Sequence, residues 1–401
     1  MAFTIIQLSF SLVQAGPVPP PLSSITFIQI LRMARTQESS CTTLSYYRSC
    51  PASDSYQFIP FCQYRLPLLS TLVLSCNSRI PGSSLLKLVR AAPNLSSLCL
   101  AGMGLLDPIS LRQILLTSTH LKTLDLGDCT ALTSSAFVGL DKMQSKMTHL
   151  RLAGCSITDA VVESLLPYWC DSLRSIDLSR CRLLSRHTLL HLASFKLLEI
   201  IKINSLNLSQ PKDLSMDDAF LILAEGCPLL TSISMRNCPD LTSQCLIYIM
   251  QLCDSLHTIH IPGSARVNDA FLSSLLNDLV ACRIIDLDIS RCPGFTLPAI
   301  LSLFRELSSL KSLVASGSPC MTDDGVQLLL ATADSLEHLD LSLCPNIRGT
   351  GLVRGLHGHL RSIPVHCLTL NIASNPQISA ETVAYLKQTL GVGRVVSRIG
   401  S

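Results

Sequence analysis

The segment from Leu336 to Ile347, LEHLDLSLCPNI, alternates leucine with polar residues and then places a cysteine beside a proline. The same spacing, LxxLxL followed by two further residues and a distinctive ninth one, returns along the chain. The other copies are LSTLVLSCN from Leu69, LSSLCLAGM from Leu95, LKTLDLGDC from Leu121, MTHLRLAGC from Met147, LRSIDLSRC from Leu173, LEIIKINSL from Leu198, LTSISMRNC from Leu230, LHTIHIPGS from Leu256, IIDLDISRC from Ile284, LKSLVASGS from Leu310 and CLTLNIASN from Cys367. Most copies start 26 residues apart, and self-similarity at such a period indicates a repeat protein.

Each copy is followed by a second pattern, in which an apolar residue and a capping residue precede an apolar run. ITDAVVESLL from Ile157, LTSQCLIYIM from Leu241 and MTDDGVQLLL from Met321 are examples, and LTSSAFVGL from Leu132 fits the same template. The capping residues are Thr133, Thr158, Thr242, Asn268 and Thr322. Their side-chain oxygens can accept a hydrogen bond from the first free N–H groups of a helix. Each repeat is therefore predicted to be a short strand, a turn and a helix.

One repeat cannot bury its own apolar side, so neighbouring repeats must stack. The fourth and sixth positions of LxxLxL point inward and the residue between them points outward, because side chains alternate along a strand. The predicted fold class is α/β: a leucine-rich repeat solenoid of horseshoe form. Its parallel sheet is expected on the concave face and its helices on the convex face.

The period and the cysteines resemble a known family. CPDLT at Cys238–Thr242, CPNI at Cys344–Ile347 and CTALT at Cys129–Thr133 are similar to the CP-x-[LI]-T phrase of cysteine-containing leucine-rich repeats. The resemblance covers Leu69 to Leu390 and extends to F-box/LRR-like and antagonist-of-mitotic-exit-like proteins. It implies a substrate-recognition or adaptor subunit of an SCF-type ubiquitin ligase. The implied partners are a protein substrate, a Skp-type adaptor and a cullin, with this chain a monomer in a hetero-complex.

The ninth position holds cysteine in six of twelve repeats and otherwise asparagine, serine or an apolar residue. A catalytic thiol would not be repeated along a rod, and thiols one repeat apart cannot converge on one metal ion. Buried packing is the expected role of these cysteines. The chain has 18 cysteines and no C-x-x-C pair, which favours a reducing compartment, cytoplasmic or nuclear.

Composition argues against several other functions. The net charge of +3 and the 15% content of charged residues give no electrostatic footprint for nucleic acid or an anionic membrane. The common nucleotide, hydrolase and zinc-protease motifs do not occur in the sequence. His187 and His191 share one helical face but lack a third ligand. Asp217-Asp218 and Asp323-Asp324 are explained by favourable charge at a helix N-terminus. The sequence therefore predicts no enzyme, no metal and no cofactor.

The predicted organisation has four parts: residues 1–40 as an apolar and proline-rich segment, 41–68 as a capping or degenerate repeat, 69–390 as the array of about twelve repeats, and 391–401 as a tail. The first fifteen residues, MAFTIIQLSFSLVQA, resemble a signal peptide that lacks a basic start. VPPPLSSITFIQIL, from Val18 to Leu31, is faintly similar to an F-box opening helix. A proline-rich linker with a short helix is the alternative.

The outward-facing side of the sheet is the predicted binding surface. The fifth position of successive repeats forms a lateral row, in which Asp125, Arg151, Asp177 and Lys202 alternate in sign. The candidate partner-binding residues are Asp125, Arg151, Asp177, Lys202, Arg236, His260, Asp288, His338 and Asp340. A solvated ionic ladder without a partner is the competing interpretation, since exposed ion pairs stabilise little.

Two functions from different classes follow. The first is a non-catalytic protein-interaction scaffold linked to SCF-dependent protein degradation. The second is a secreted or surface leucine-rich receptor-like protein, which requires MAFTIIQLSFSLVQA to be cleaved before Gly16. N-terminal sequencing of the mature chain separates them.

Overall fold

The computed structural model describes residues 6–8, 43–46, 66–76, 80–140, 145–206, 208, 213–277, 283–359, 368–391 and 394–397. The chain divides into two compact bodies, an N-terminal body of Met1–Leu184 and a C-terminal body of Ser185–Ser401. Each body repeats the strand–turn–helix unit.

The strands of the N-terminal body are β1 (Ile6–Leu8), β2 (Thr43–Tyr46), β3 (Thr71–Val73), β4 (Ser97–Cys99), β5 (Thr123–Asp125), β6 (His149–Arg151) and β7 (Ser175–Asp177). Each pairs in parallel with the next strand of this body. The helices are α1 (Gly82–Ala91), α2 (Pro108–Thr117) and α3 (Asp159–Trp169).

The strands of the C-terminal body are β8 (Ile200–Lys202), β9 (Ser232–Ser234), β10 (Thr258–His260), β11 (Asp286–Asp288), β12 (Ser312–Val314), β13 (His338–Asp340), β14 (Thr369–Asn371) and β15 (Val395–Val396), again parallel and paired in chain order. The helices are α4 (His187–Leu192), α5 (Met216–Gly226), α6 (Ser243–Leu252), α7 (Asp269–Asn277), α8 (Leu297–Phe304), α9 (Asp323–Thr332), α10 (Thr350–His359) and α11 (Ala380–Leu390). Val395 and Val396 thus form a strand within the segment expected to be a tail.

The inward positions of the repeat make the core. Leu124, Leu150 and Ile176 lie opposite one another on β5, β6 and β7 and are at most 2% exposed. Their neighbours Thr123 and Asp125 remain half-buried on the other side of the sheet. The apolar strand residues therefore pack toward the helices, and the predicted α/β leucine-rich repeat architecture is confirmed within each body.

One predicted helix is absent. The run after Thr133 forms only a 3-10 turn, Ser134–Phe137. Val138 is already extended, with a ψ of 140°, and Gly139 follows with a φ of +74°, so no helix continues past Phe137. Thr242 and Thr322 do cap α6 and α9, because their hydroxyls accept hydrogen bonds from Cys245 N and Gly325 N.

Helix N-termini are also linked from one repeat to the next. The Asp323 carboxylate at the start of α9 accepts hydrogen bonds from the backbone N–H groups of Arg348, Gly349 and Gly351, at 2.9–3.0 Å. Asp269 likewise accepts from the N–H and the hydroxyl of Thr296. Both aspartates therefore join successive repeats. Favourable charge at a helix N-terminus does not by itself explain these hydrogen bonds.

Apart from Ile6–Leu8, the proposed signal and F-box segments lie outside the described residues. Within the residues that are described, no helix has both the length and the apolar character needed to cross a membrane.

Candidate protein-interaction surface

Three of the predicted residues meet in the N-terminal body. Asp125, Arg151 and Asp177 lie in direct register on β5, β6 and β7. The Arg151 guanidinium contacts Asp125 Oδ2 at 3.1 Å and Asp177 Oδ2 at 3.2 Å. Partial burial disfavours the charged guanidinium, but the two flanking carboxylates outweigh it and raise the pKa of Arg151. The predicted alternation of sign is therefore an ionic ladder across three strands.

The acids of the fifth position also have a structural role. The Oδ1 atoms of Asp125, Asp177, Asp288 and Asp340 accept hydrogen bonds from the backbone N–H two residues later, at 2.9–3.1 Å. One carboxylate oxygen thereby fixes the turn after the strand, in the manner of an Asx turn. The second oxygen pairs with a side chain of another repeat. The row therefore presents its acids in fixed orientations.

In the C-terminal body the predicted residues are paired differently. Arg236 reaches over one repeat to Asp288 Oδ2 at 3.3 Å, and Asp288 is only 4% exposed. Asp340 Oδ2 accepts a hydrogen bond from the Asn371 amide at 2.8 Å. His338 contacts the Thr369 hydroxyl on β14. Lys202 is exposed on β8, opposite Ser234.

His260 contacts a residue that the sequence did not single out. Its Nε2 lies 2.9 Å from Asp286 Oδ2. Burial alone would raise the pKa of Asp286, but the hydrogen bond and charge of His260 lower it below the ordinary value. Asp286 occupies the third position of its repeat, in register with Thr258 and Ser312. The third position also faces outward, because side chains alternate along a strand. The same argument from the sequence that identified the fifth position would therefore have identified Asp286.

Two further ion pairs extend the surface. Arg180 Nη2 lies 3.0 Å from the Asp128 carboxylate, two repeats earlier, and Lys311 Nζ lies 3.1 Å from Glu337. Both pairs are largely exposed and so stabilise the chain weakly. They contribute charge to the surface and were not among the predicted residues.

The ninth-position cysteines are buried hydrogen-bond donors. Each Sγ lies 3.0–3.3 Å from the sixth-position carbonyl of the preceding repeat, in Cys129, Cys155, Cys181, Cys238, Cys292 and Cys344. The Asn375 amide and, at 3.5 Å, the Ser318 hydroxyl donate in the same way. Burial raises the pKa of Cys129 and Cys344 to about 11 and that of Cys155 to about 12. These thiols stay protonated at neutral pH, as donors and not as nucleophiles.

The eighth position has a left-handed backbone in all twelve repeats, with φ between +52° and +76°. We call these residues the eighth-position row: Cys76, Gly102, Asp128, Gly154, Arg180, Ser205, Asn237, Gly263, Arg291, Gly317, Leu343 and Ser374. Within this row, glycine occupies the position after Cys76, Asp128, Asn237 and Arg291, whose atoms lie nearest to where its Cβ would be. A Cβ on Gly154 would lie 2.3 Å from Asp128 Oδ1, and one on Gly263 would lie 2.4 Å from Asn237 Oδ1.

No group of three or more histidine, cysteine, aspartate or glutamate side chains is placed to hold a metal ion among the described residues. His187, on α4, lies 3.8 Å from Asp213 Oδ2. The surface offers ion pairs and hydrogen-bonding groups in fixed positions.

Known proteins share the repeat. The family model described as Leucine Rich repeat matches residues 117–135 and 334–354. A chain in the crystal structure of the Rad7 and Elc1 complex in yeast is similar, with a TM-score of 0.61 and 18% identity over 90% of this chain and 86% of that chain. An internalin, InlF, from Listeria monocytogenes strain 4b F2365 aligns with a TM-score of 0.48 and 17% identity over 86% of this chain and 97% of that chain. The repeated strand–turn–helix unit and the two family-model matches make this chain a leucine-rich repeat protein.

Proposed function

We propose that this chain is a non-catalytic scaffold that binds another protein on the outward side of its sheets. Leucine-rich repeat proteins are generally binding scaffolds of this kind. The observation that carries the proposal is the fixed orientation of the outward side chains. Asp125, Arg151 and Asp177 are held by each other and by the backbone before any partner arrives. A preorganised surface loses less conformational entropy on binding.

The more specific part of the proposal is a substrate-recognition or adaptor role in an SCF-type ubiquitin ligase. Its support is the resemblance to cysteine-containing leucine-rich repeats, whose ninth-position thiol here has one repeated bonding role. The Rad7 and Elc1 complex adds a case in which a protein of this fold assembles with a second chain. A Skp-type adaptor and a cullin are the proposed partners.

Affinity purification of the full chain followed by mass spectrometry tests this role. Recovery of a Skp-type adaptor and a cullin is the expected result. Recovery of other proteins without either of these would leave a binding scaffold and remove the ubiquitin-ligase role.

Lys202→Glu tests the surface itself. Lys202 is exposed on β8, so reversing its charge changes the surface without emptying the core. We expect loss of at least half of the captured partner, because charge complementarity steers association. Lys87→Glu on α1 is the matched control, since Lys87 is exposed on the helical side. Equal capture by the Lys202 and Lys87 variants would remove Lys202 from the binding surface.

The proposed location is cytoplasmic or nuclear. The ninth-position cysteines are free and buried, and unpaired cysteines in this number are typical of a reducing compartment. A mature N-terminus at Gly16 would instead establish secretion, the second candidate that the first fifteen residues suggest.

A further inference from the structure

In two parts of the eighth-position row an arginine side chain crosses a glycine, in opposite directions along the chain. In the N-terminal body, Arg180 crosses Gly154 and pairs with Asp128 at 3.0 Å. In the C-terminal body, Arg291 crosses Gly317, where a Cβ would lie 3.0 Å from Arg291 Cγ. The residue on the far side of Gly317 is Leu343 instead of an acid. The first arginine therefore forms an ion pair, and the second has no acid opposite it.

The Arg291 guanidinium is exposed, and no hydrogen bond or ion pair joins it to any residue that the structure describes. The nearby carboxylates are already engaged. Asp288 is bound by Arg236, Asp286 by His260, and Asp340 by Asn371 and its own turn. Arg291 is thus a positive charge on a surface whose acids have other partners.

Leu343 is the second unusual residue. Its φ is +58°, a conformation that is unfavourable for a bulky residue, and its side chain is 46% exposed. Glycine or asparagine would fit this backbone better, and both occur elsewhere in the row. Arg291, at φ +52°, has the same disadvantage. The left-handed backbone belongs to the whole row, so this pair is distinguished by a bulky exposed leucine and by an arginine without a carboxylate partner among the described residues.

We propose that Arg291 and Leu343 together bind a segment of a partner protein in which a carboxylate side chain lies near an apolar one. The carboxylate pairs with the Arg291 guanidinium, as Asp128 pairs with Arg180 within the N-terminal body. The apolar side chain covers Leu343. The proposal rests on the scaffold function and names the chemistry of the partner.

The spacing sets the length of the segment. Arg291 and Leu343 are two repeats apart, and adjacent strands lie about 4.8 Å apart, so their backbones are separated by about 10 Å. An extended chain rises about 3.3 Å per residue, so about three residues of the partner span that distance. The acidic and apolar side chains should therefore be about two to four residues apart in the partner.

The experiment selects random peptides displayed on phage against the full chain. The expected peptides carry aspartate or glutamate about two to four residues from leucine, isoleucine, valine or phenylalanine. Synthetic copies of them should bind Arg291→Gln and Leu343→Ala about tenfold more weakly than the unchanged chain, because each removes one half of the contact. Arg305→Gln, which removes an exposed arginine beside α8, is the control and should bind normally.

Leu343→Asp is the decisive variant. It places a carboxylate across Gly317 from Arg291, two repeats away as Asp128 is from Arg180 but in the opposite direction, so Arg291 gains an internal partner. We expect loss of peptide binding together with an unchanged or higher thermal midpoint, since aspartate also tolerates a left-handed backbone better than leucine does. Any rise in the midpoint should disappear when Arg291→Gln is added.

Three outcomes would overturn the proposal: selection of peptides without the acidic and apolar pair, full binding to Leu343→Asp, or equal loss with Arg305→Gln. Peptides that lose binding with Lys202→Glu but not with Leu343→Asp would support the scaffold function while removing this site. Absence of a cullin from the affinity purification would affect neither result.

Discussion

At the scale of single residues, the left-handed backbone of the eighth position restricts which residue types fit there without strain. The left-handed conformation recurs in all twelve repeats because the chain turns sharply between strand and ninth position. Glycine meets that demand without strain, and it also leaves room for a neighbouring side chain to cross. Gly154 serves both purposes, since it lies beneath the Asp128–Arg180 ion pair.

Gly154→Ala should therefore destabilise the protein more than Gly102→Ala. Both glycines have a φ near +74°, so each substitution costs about 1–2 kcal/mol from the left-handed backbone alone. Only Gly154→Ala adds a clash, because its Cβ would lie 2.3 Å from Asp128, whereas the nearest atom to a Cβ on Gly102 is 3.4 Å away. Urea unfolding midpoints of the two variants measure the difference. Equal midpoints would mean that the Asp128 side chain moves aside freely.

At the scale of structural elements, three helices of the C-terminal body carry an aspartate in the first turn that binds the next repeat. Asp217, Asp269 and Asp323 all accept hydrogen bonds from the following repeat. The sequence suggested only favourable charge at helix N-termini. The structure shows that Asp323 and its neighbour Asp324 differ, because Asp323 accepts three backbone hydrogen bonds and Asp324 is exposed.

Asp323→Ala should cost about 2–3 kcal/mol, because three N–H groups of the α10 turn lose a charged acceptor. Asp324→Ala is the matched control and should cost about 0.3–1 kcal/mol, the usual effect of charge in the first turn of a helix. Chemical unfolding monitored by circular dichroism compares them. If the two losses were the same, the helix-terminus explanation would be adequate and the bonds between repeats would contribute little.

At the scale of the whole molecule, the ninth-position thiols make the same hydrogen bond in both bodies. Cys129, Cys155 and Cys181 in the N-terminal body and Cys238, Cys292 and Cys344 in the C-terminal body donate to equivalent carbonyls. Some of these carbonyls also accept a backbone N–H, as that of Leu126 does from Cys129, so the thiol is a second donor to them. Cys76 lies one position earlier in its repeat and is exposed.

Alkylation of the folded protein with iodoacetamide at pH 8 should modify Cys76 rapidly and leave the ninth-position cysteines protected. The thiolate is the reacting species, and a pKa of about 12 leaves Cys155 almost entirely protonated at that pH. Peptide mapping by mass spectrometry gives the rate at each site. The unfolded protein serves as the control, since all sites should then react at similar rates. Labelling of Cys155 as fast as Cys76 in the folded protein would contradict the buried thiol ladder.

The amino-acid sequence was enough to predict the repeat, the order of strand and helix and the inward direction of residues such as Leu124 and Leu126. These features are local, because the alternation along a strand and the apolar run of a helix are both contained within one repeat. It also placed the fifth-position row correctly, although the binding role of its residues remains a prediction.

The pairing of charged side chains, in contrast, depends on how the repeats pack together. Arg180 binds Asp128 and Arg236 binds Asp288, each 52 residues away, while His260 binds Asp286, 26 residues away. These pairings depend on side-chain length, on the register of neighbouring strands and on the glycine beneath a crossing side chain. None of these three features can be read from the sequence of a single repeat. The same reason explains Cys344, whose thiol reaches the carbonyl of Ala315, at 3.2 Å, only after the preceding repeat has stacked against it.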